Sequence, residues 1–177
     1  MAIEYVVLLD KHRRAYAQMD KRAVHHQQTP FHLGFSCYIF NAKRQLLVTR
    51  RALSKQTWPG VWSNSVCGHP APNEPFSQAV MRRARHELGL NIRAPQLLID
   101  DYRYWAKDAS GVIEYEYCPI YWAQAQSDLA LNSEEVMDYQ WINGDKLVQS
   151  IQATPWAFSP WMVEQVELLC QRKLWPH

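Results

Sequence analysis

The chain has 177 residues, 47% of them hydrophobic and 20% charged, with a formal net charge of +2. These values describe an ordinary globular protein rather than a disordered one, and the length suits one domain, residues 1–177. So small a charge excludes an argument for a nucleic-acid partner, and no apolar run reaches the roughly 18 residues of a membrane span.

Taken in order, the predicted elements alternate without a regular βαβ rhythm. The opening MAIEYVVLLDKHRR has no basic stretch before its apolar run, so no signal peptide is expected, and Ile3–Leu9 reads as a strand. Phe35–Phe40 and Gln45–Thr49 read as strands joined by a turn at Asn41–Arg44. Ser54–Pro75 is broken by Pro59, Gly60, Gly68, Pro70 and Pro72, so a loop is expected there, with one short strand at Val61–Asn64. Pro75–Leu88 is a helix that opens on proline and stops at Gly89. Leu97–Trp105 and Val112–Trp122 read as two long strands, and Met137–Ile142 as another. Gly144–Ser150 is a short helix, and Ser159-Pro160 opens a last helix that runs to about Arg172. The expected fold is mixed α/β (α+β), a mixed sheet with helices packed on it. Cys37, Cys67, Cys118 and Cys170 are widely spaced with no C-x-x-C pair, so reduced thiols and a cytoplasmic location are expected.

Three patterns carry chemistry. In Ser63-Asn64-Ser65-Val66-Cys67-Gly68-His69-Pro70 a thiol and an imidazole lie two residues apart; the pair is either a metal site or a reagent beside one. On the helix, Arg83 and Glu87 fall inside the apolar stripe of Phe76, Ala79, Val80, Ala84 and Leu88. They are either an i,i+4 ion pair at the core's edge or they face a polar site, Glu87 toward Mg²⁺ and Arg83 toward an anion such as phosphate. In Val112–Cys118 the alternation points Glu114, Glu116 and Cys118 one way. That face is either solvated or, since Cys118, Ile120 and Trp122 extend it, the lip of a cavity. Two such carboxylates with His25, His32 and His69 suit a divalent ion. His12, His26, His86 and His177 are read as surface residues, and Cys37, Cys118 and Cys170 as buried inert thiols. The stretch through His32 is expected to be loop-like and mobile until it holds metal.

Gly68, Glu74, Arg82, Glu87 and Gly89 resemble the Nudix signature in spacing, with two departures: Arg83 stands where the family usually has Glu, and His86 replaces the first of its paired acids. The segments LLVTRRALSKQTWPGVWSNSVCGHP and ATPWAFSPWMV resemble the bacterial type I isopentenyl-diphosphate isomerases, and the resemblance runs from about Val6 to Val166. It implies a Nudix-like fold and the interconversion of isopentenyl and dimethylallyl diphosphate, a small-molecule diphosphate partner, and a monomer or weak homodimer. It implies that His25, His32, His69, Glu114 and Glu116 hold one ion (Mn²⁺, Zn²⁺ or Mg²⁺) and that Glu87 serves Mg²⁺ bound with the diphosphate. Cys67 and Glu116 match the catalytic pair, with Tyr104 beside the glutamate; Lys21, Arg51, Lys55 and Arg83 match positions around the diphosphate. An alkene is a weak base, so its protonation needs a placed acid in a dry site; Glu116 fits, directly or through Tyr104. Cys67, if a thiolate, would take the second proton from the opposite face, and Trp161 would steady the cation. The reaction is redox-neutral, and no G-x-G-x-x-G occurs to bind a nicotinamide or flavin. A Nudix diphosphohydrolase and a non-catalytic metal or ligand carrier are the competing readings.

Overall fold

A computed structural model describes residues 4–175, and within it the chain passes three times between two mixed β-sheets. The expected start of the first strand at Ile3 and the reading of His177 lie outside the described residues. The smaller sheet contains β1 (Tyr5–Leu9), β2 (Ala15–Asp20), β3 (His32–Leu33), β9 (Arg103–Lys107) and β10 (Ile113–Tyr117), in the order β2-β1-β3-β10-β9. The larger contains β4 (Phe35–Phe40), β5 (Leu46–Arg51), β8 (Gln96–Ile99), β11 (Ile120–Gln124) and β12 (Val136–Ile142), in the order β12-β5-β4-β11-β8. Short strands β6 (Trp62–Ser63) and β7 (Val66–Gly68) pair with β5 and β4. The helices are α1 (Lys21–Val24), α2 (Phe76–Leu88), α3 (Gly144–Ala153) and α4 (Pro160–Gln171), with a 3₁₀ turn at Pro155–Ala157.

Strand β4 shows why the layers form where they do. It is buried along its whole length, so its alternation divides between two cores. Phe35, Cys37 and Ile39 join Ala79, Val80, Ala84 and Leu88 of α2, while Tyr38 and Phe40 join Met162, Val166 and Leu169 of α4. Each large apolar side chain so enclosed contributes roughly 1.5–3 kcal/mol. Helix α2 ends as expected on Gly89, whose φ of 61° is left-handed; a Cβ there would also meet the Ala130 carbonyl at 2.6 Å.

Four expectations are corrected. Val112–Trp122 is two strands, because Cys118-Pro119 carries the chain from the smaller sheet to the larger. Leu97–Trp105 is likewise split by a bend at Asp100–Tyr102. The stretch through His32 is loop-like only from His25 to Phe31; before it stand a hairpin and a helical turn, with Val24 packed on Val6 and Leu8, and Phe31 packs on Val7 and Leu9. Cys170 is exposed, whereas Cys37 and Cys118 are buried. Among the described residues no helix is long and apolar enough to cross a membrane.

The three sheet crossings lie side by side. The Gly34 N–H donates to the Tyr117 carbonyl at 2.9 Å, the Ser36 N–H to Pro119 at 3.0 Å, and the Cys118 N–H to Tyr102 at 2.9 Å. Just before the crossings His32 is in register with Glu116, and Glu116 with Tyr104. Residues far apart in sequence are thereby lined up on one face.

Candidate active site

That face opens into a cavity of about 740 Å³. Its walls include Lys21, His25, Arg51, Lys55, Cys67, His69, Arg83, Glu87, Tyr104, Glu114, Glu116 and Trp161. His32 is fully buried behind it.

Ligand atoms of His25, His32, His69 and Glu116 all lie within 4.8 Å of one another. The three imidazole centroids are 5.1, 5.2 and 5.4 Å apart. The His32 Nδ1–H donates to the Pro30 carbonyl at 2.8 Å, which leaves the Nε2 lone pair facing the cluster. His25 Nε2 and His32 Nε2 are buried without a hydrogen-bonding partner, a costly state for two acceptors unless a cation takes their lone pairs. Three imidazoles and a carboxylate are a donor set that suits a divalent ion of intermediate hardness, so the residues fit one. Burial opposes charge on Glu116, but the adjoining imidazoles of His32 and His69 outweigh it and hold the carboxyl well below its usual range. Burial likewise drives His69 down to about 4 despite Glu116.

Glu114 stands beside this group. Both glutamates are only 6% exposed, so the strand face is not solvated. Glu114 Oε2 is 3.4 Å from His25 Nε2 and accepts from the Tyr104 hydroxyl at 3.2 Å, while Oε1 accepts from the Thr57 hydroxyl at 2.6 Å. The phenol of Tyr104 thus serves Glu114, not Glu116 as expected. Glu116 has a different neighbour. A Cβ added to Gly34 would fall 2.2 Å from Glu116 Oε2 and 2.6 Å from its Cδ, so the carboxylate occupies the space that a side chain would fill.

Cys67 and Trp161 meet on Asn64. The Cys67 thiol and the Trp161 Nε1–H both donate to Asn64 Oδ1 at 3.0 Å. Burial pushes the Cys67 thiol up to about 11, with Ser36 and Asn64 opposing the shift. Tyr104 and Trp58 box the indole at centroid distances of 5.8 and 5.4 Å. The Arg51 guanidinium lies 5.3 Å over it and donates to the carbonyls of Thr57 and Trp58.

The opposite end of the cavity is ionic. Arg83, 3% exposed, donates through Nη2 to Glu87 Oε1 at 2.7 Å and to Glu135 Oε1 at 3.0 Å. The i,i+4 pair forms, and it faces the cavity. Lys55 pairs with Glu135, and Lys21 donates to Glu4 at 2.6 Å. Burial opposes charge on Glu135, but Lys55 and Arg83 prevail and bring its pKa from 4.5 to about 2. A carboxyl lowered on folding favours the folded state above its unfolded pKa, and that advantage is lost as the pH falls through the folded value. The wild-type melting temperature should therefore fall more steeply between about pH 5 and about pH 3 than that of Glu135→Gln, by circular dichroism. Parallel slopes would show that the pairing adds nothing to stability.

The signature residues Glu74 and Arg82 form a clasp. Arg82 donates to both oxygens of Glu74 at 2.8 and 2.7 Å and to the His69 carbonyl at 3.1 Å. Bidentate charged pairs are geometrically specific, so the clasp sets the loop that presents His69. Gly68 lets α2 close on β4: a Cβ there would meet Arg83 Cγ at 2.9 Å.

The structure brings all thirteen predicted site residues to this cavity or its immediate wall. Sequence reasoning missed Glu4, Glu135, Thr57, Asn64, Ser36 and Gly34. Glu135 sits in Asn132-Ser-Glu-Glu, which matches no motif, and Ser63-Asn64-Ser65 lies where the expected short strand ends in a run of turn residues, yet all three are buried. The nearest signal was position, since Asn64 and Ser65 directly precede Val66 and Cys67.

Known proteins match the chain at several levels. The NUDIX domain model matches residues 30–162. The isopentenyl-diphosphate Delta-isomerase of Escherichia coli is 51% identical over 174 residues, covering 98% of this chain and 96% of that protein. The protein of that name from Shigella boydii serotype 4 shows the same identity and coverage. Among solved structures, DR0079 from Deinococcus radiodurans superposes with a TM-score of 0.70 at 19% identity, covering 93% of this chain and 98% of that one. The MutT protein from Methanosarcina mazei superposes with a TM-score of 0.66 at 17% identity, covering 82% and 97%. At such identities the structural matches speak to the fold alone.

Proposed function

The chain belongs to the Nudix domain family and, within it, to the isopentenyl-diphosphate Delta-isomerases, and from that premise we propose how its residues divide the reaction. The enzyme interconverts isopentenyl diphosphate and dimethylallyl diphosphate, moving a double bond by one carbon. Our assignment is that Cys67 and Glu116 exchange the two protons. One adds a proton to the alkene carbon, giving a tertiary cation; the other removes a proton from the adjacent carbon, and the roles exchange when the reaction reverses. The observation that carries this assignment is that a thiol and a carboxylate line one cavity with an ionic end and an aromatic wall. Because the Tyr104 hydroxyl serves Glu114, the proton is assigned to Glu116 directly rather than through the phenol.

In this proposal Lys21, Lys55 and Arg83 exchange their carboxylate partners for the diphosphate, with Arg51 at the edge of that pocket. Remote binding of the charged group then fixes the small hydrocarbon end. The faces of Trp161 and Tyr104 line the hydrocarbon end, where an aromatic quadrupole favours the cation. His25, His32, His69, Glu114 and Glu116 would hold one divalent ion, Mn²⁺, Zn²⁺ or Mg²⁺, and Glu87 would serve Mg²⁺ arriving with the diphosphate. Such ions, when bound, offset the negative charge gathered by the carboxylates and phosphates. Four unbridged cysteines support a reducing, cytoplasmic setting, and we assign the enzyme as one domain acting as a monomer or weak homodimer.

The test is proton and phosphorus NMR of isopentenyl diphosphate in D₂O with Mg²⁺ and Mn²⁺, the Mn²⁺ chelated before the spectra are taken. Dimethylallyl diphosphate carrying solvent deuterium, with its diphosphate intact, is expected. Cys67→Ala should lose at least about 10³-fold in turnover, within the range of a placed acid or base. Released phosphate with an unchanged hydrocarbon would replace the proposal with hydrolysis, and near-normal turnover of Cys67→Ala would remove the thiol from the chemistry.

A further inference from the structure

The Cys67 sulfur lies between two polar groups of opposite kind. On one side is Asn64 Oδ1 at 3.0 Å. The amide has a fixed sense, because its Nδ2 donates to the carbonyls of Cys37 and Val66 at 3.3 and 3.1 Å. Asn64 can therefore accept the S–H proton but cannot donate to a sulfur that has lost it; its carbonyl oxygen would then face a negative charge. On the other side is Ser36 Oγ, 3.5 Å from Cys67 Sγ and 3.5 Å from Cys118 Sγ. Ser36 is fully buried. Its oxygen accepts from Gln165 Nε2 at 2.9 Å, and the Gln165 amide is itself fixed by the Tyr38 hydroxyl, which donates to Oε1 at 3.0 Å. With Gln165 holding a lone pair of Ser36, the hydroxyl proton has the two sulfurs as its acceptors.

Resting on the assignment of Cys67 as a reacting thiol, we propose that Ser36 is the hydrogen-bond donor that follows charge onto the Cys67 sulfur. As the thiol gives its proton to the substrate, the Ser36 hydroxyl turns onto Sγ. When a proton returns to the sulfur, the S–H goes back to Asn64 and the hydroxyl is free to face Cys118. No proton leaves Ser36, only its O–H rotates, and the substrate keeps the proton that Cys67 lost. Gln165 is a positioning residue acting through Ser36: it ties down the oxygen so that the hydroxyl proton faces the sulfurs. Cys118 serves as the alternative acceptor, which explains a second buried thiol at hydrogen-bonding distance from a group that contacts the first.

The experiment compares the metal-loaded wild type, Ser36→Ala, Ser36→Cys and Gln165→Met. A hydrogen bond to a charged group corresponds to a factor of about 10 to 100 in rate. Ser36→Ala should lose that factor in kcat, with KM and bound-ion content within about twofold of wild type. Ser36→Cys keeps the shape with a weaker donor and should fall between the two; it also serves if the alanine variant does not fold. Gln165→Met, which frees the hydroxyl without removing it, should show a smaller loss in kcat than Ser36→Ala. Wild-type kcat in folded Ser36→Ala, or in Ser36→Cys where only that variant folds, would overturn the proposal, as would a joint loss of KM and ion content. Cys67→Ala run alongside separates the failures: if it is inactive while Ser36→Ala is unimpaired, only the role of Ser36 falls. If Cys67→Ala is active, the assignment beneath it falls as well.

Discussion

Glu116→Gln should lower kcat by about 10³- to 10⁴-fold while leaving the melting temperature of the metal-free protein close to that of wild type. Two effects combine. A placed acid or base is worth about 10² to 10⁴, and the amide supplies neither form. Glu116 is also the carboxylate within ligand distance of His25, His32 and His69, so the ion that those residues would share should be held more weakly. The fold should survive, because glutamine keeps the volume and still offers an oxygen to His69 Nε2, now 2.9 Å from Glu116 Oε1. Kinetics, ion content by mass spectrometry and thermal denaturation of one preparation together check this. Turnover within tenfold of wild type would remove Glu116 from the proton transfer.

Gly34→Ala should have an effect out of proportion to one methyl group. The added carbon would overlap Glu116 Oε2 at 2.2 Å and Cδ at 2.6 Å. Glycine is not needed for the backbone here, since Gly34 is not among the residues of positive φ; it is needed for room. The carboxylate must move on the order of an ångström, and misplacement on that scale costs about 10²-fold in rate. Ion affinity should drop by about 10- to 100-fold, as when the support of a ligand is lost. The distinguishing result is a weaker-binding, slower enzyme with an unchanged circular dichroism spectrum. Full activity would mean that Glu116 has a second productive rotamer.

These two residues also mark where sequence reading succeeds and where it stops. Glu116 was legible: it lies in an alternating strand, two residues from a like charge. The same alternation hid the sheet crossing, because Glu114, Glu116, Cys118 and Ile120 keep period two through Pro119. That proline was the available signal, since it has no N–H for a ladder. Asp100-Asp101 was the equivalent sign in the preceding strand pair. Arg83 and Glu87 stood out because charges in an apolar stripe need a partner, whereas Glu135, which shares Arg83 with Glu87, lies 52 residues from it. Gly34 could not be read at all. Its role is an absence of volume opposite an atom 82 residues away, and only the pairing of β3 with β10 puts the two together.

The side-by-side crossings carry a consequence for how the molecule assembles. His25 and His32 come from one pass between the sheets, His69 from a loop over the second sheet, and Glu114 and Glu116 from the last pass. No local segment holds more than two of these groups, so the set closes only when contacts between distant parts of the chain have formed. Such topologies pay their loop-closure entropy before they gain their contacts, and they fold slowly. Capture of the ion proposed for this set should then come late in folding, and its appearance during refolding would mark the moment at which the two sheets have met in the correct register.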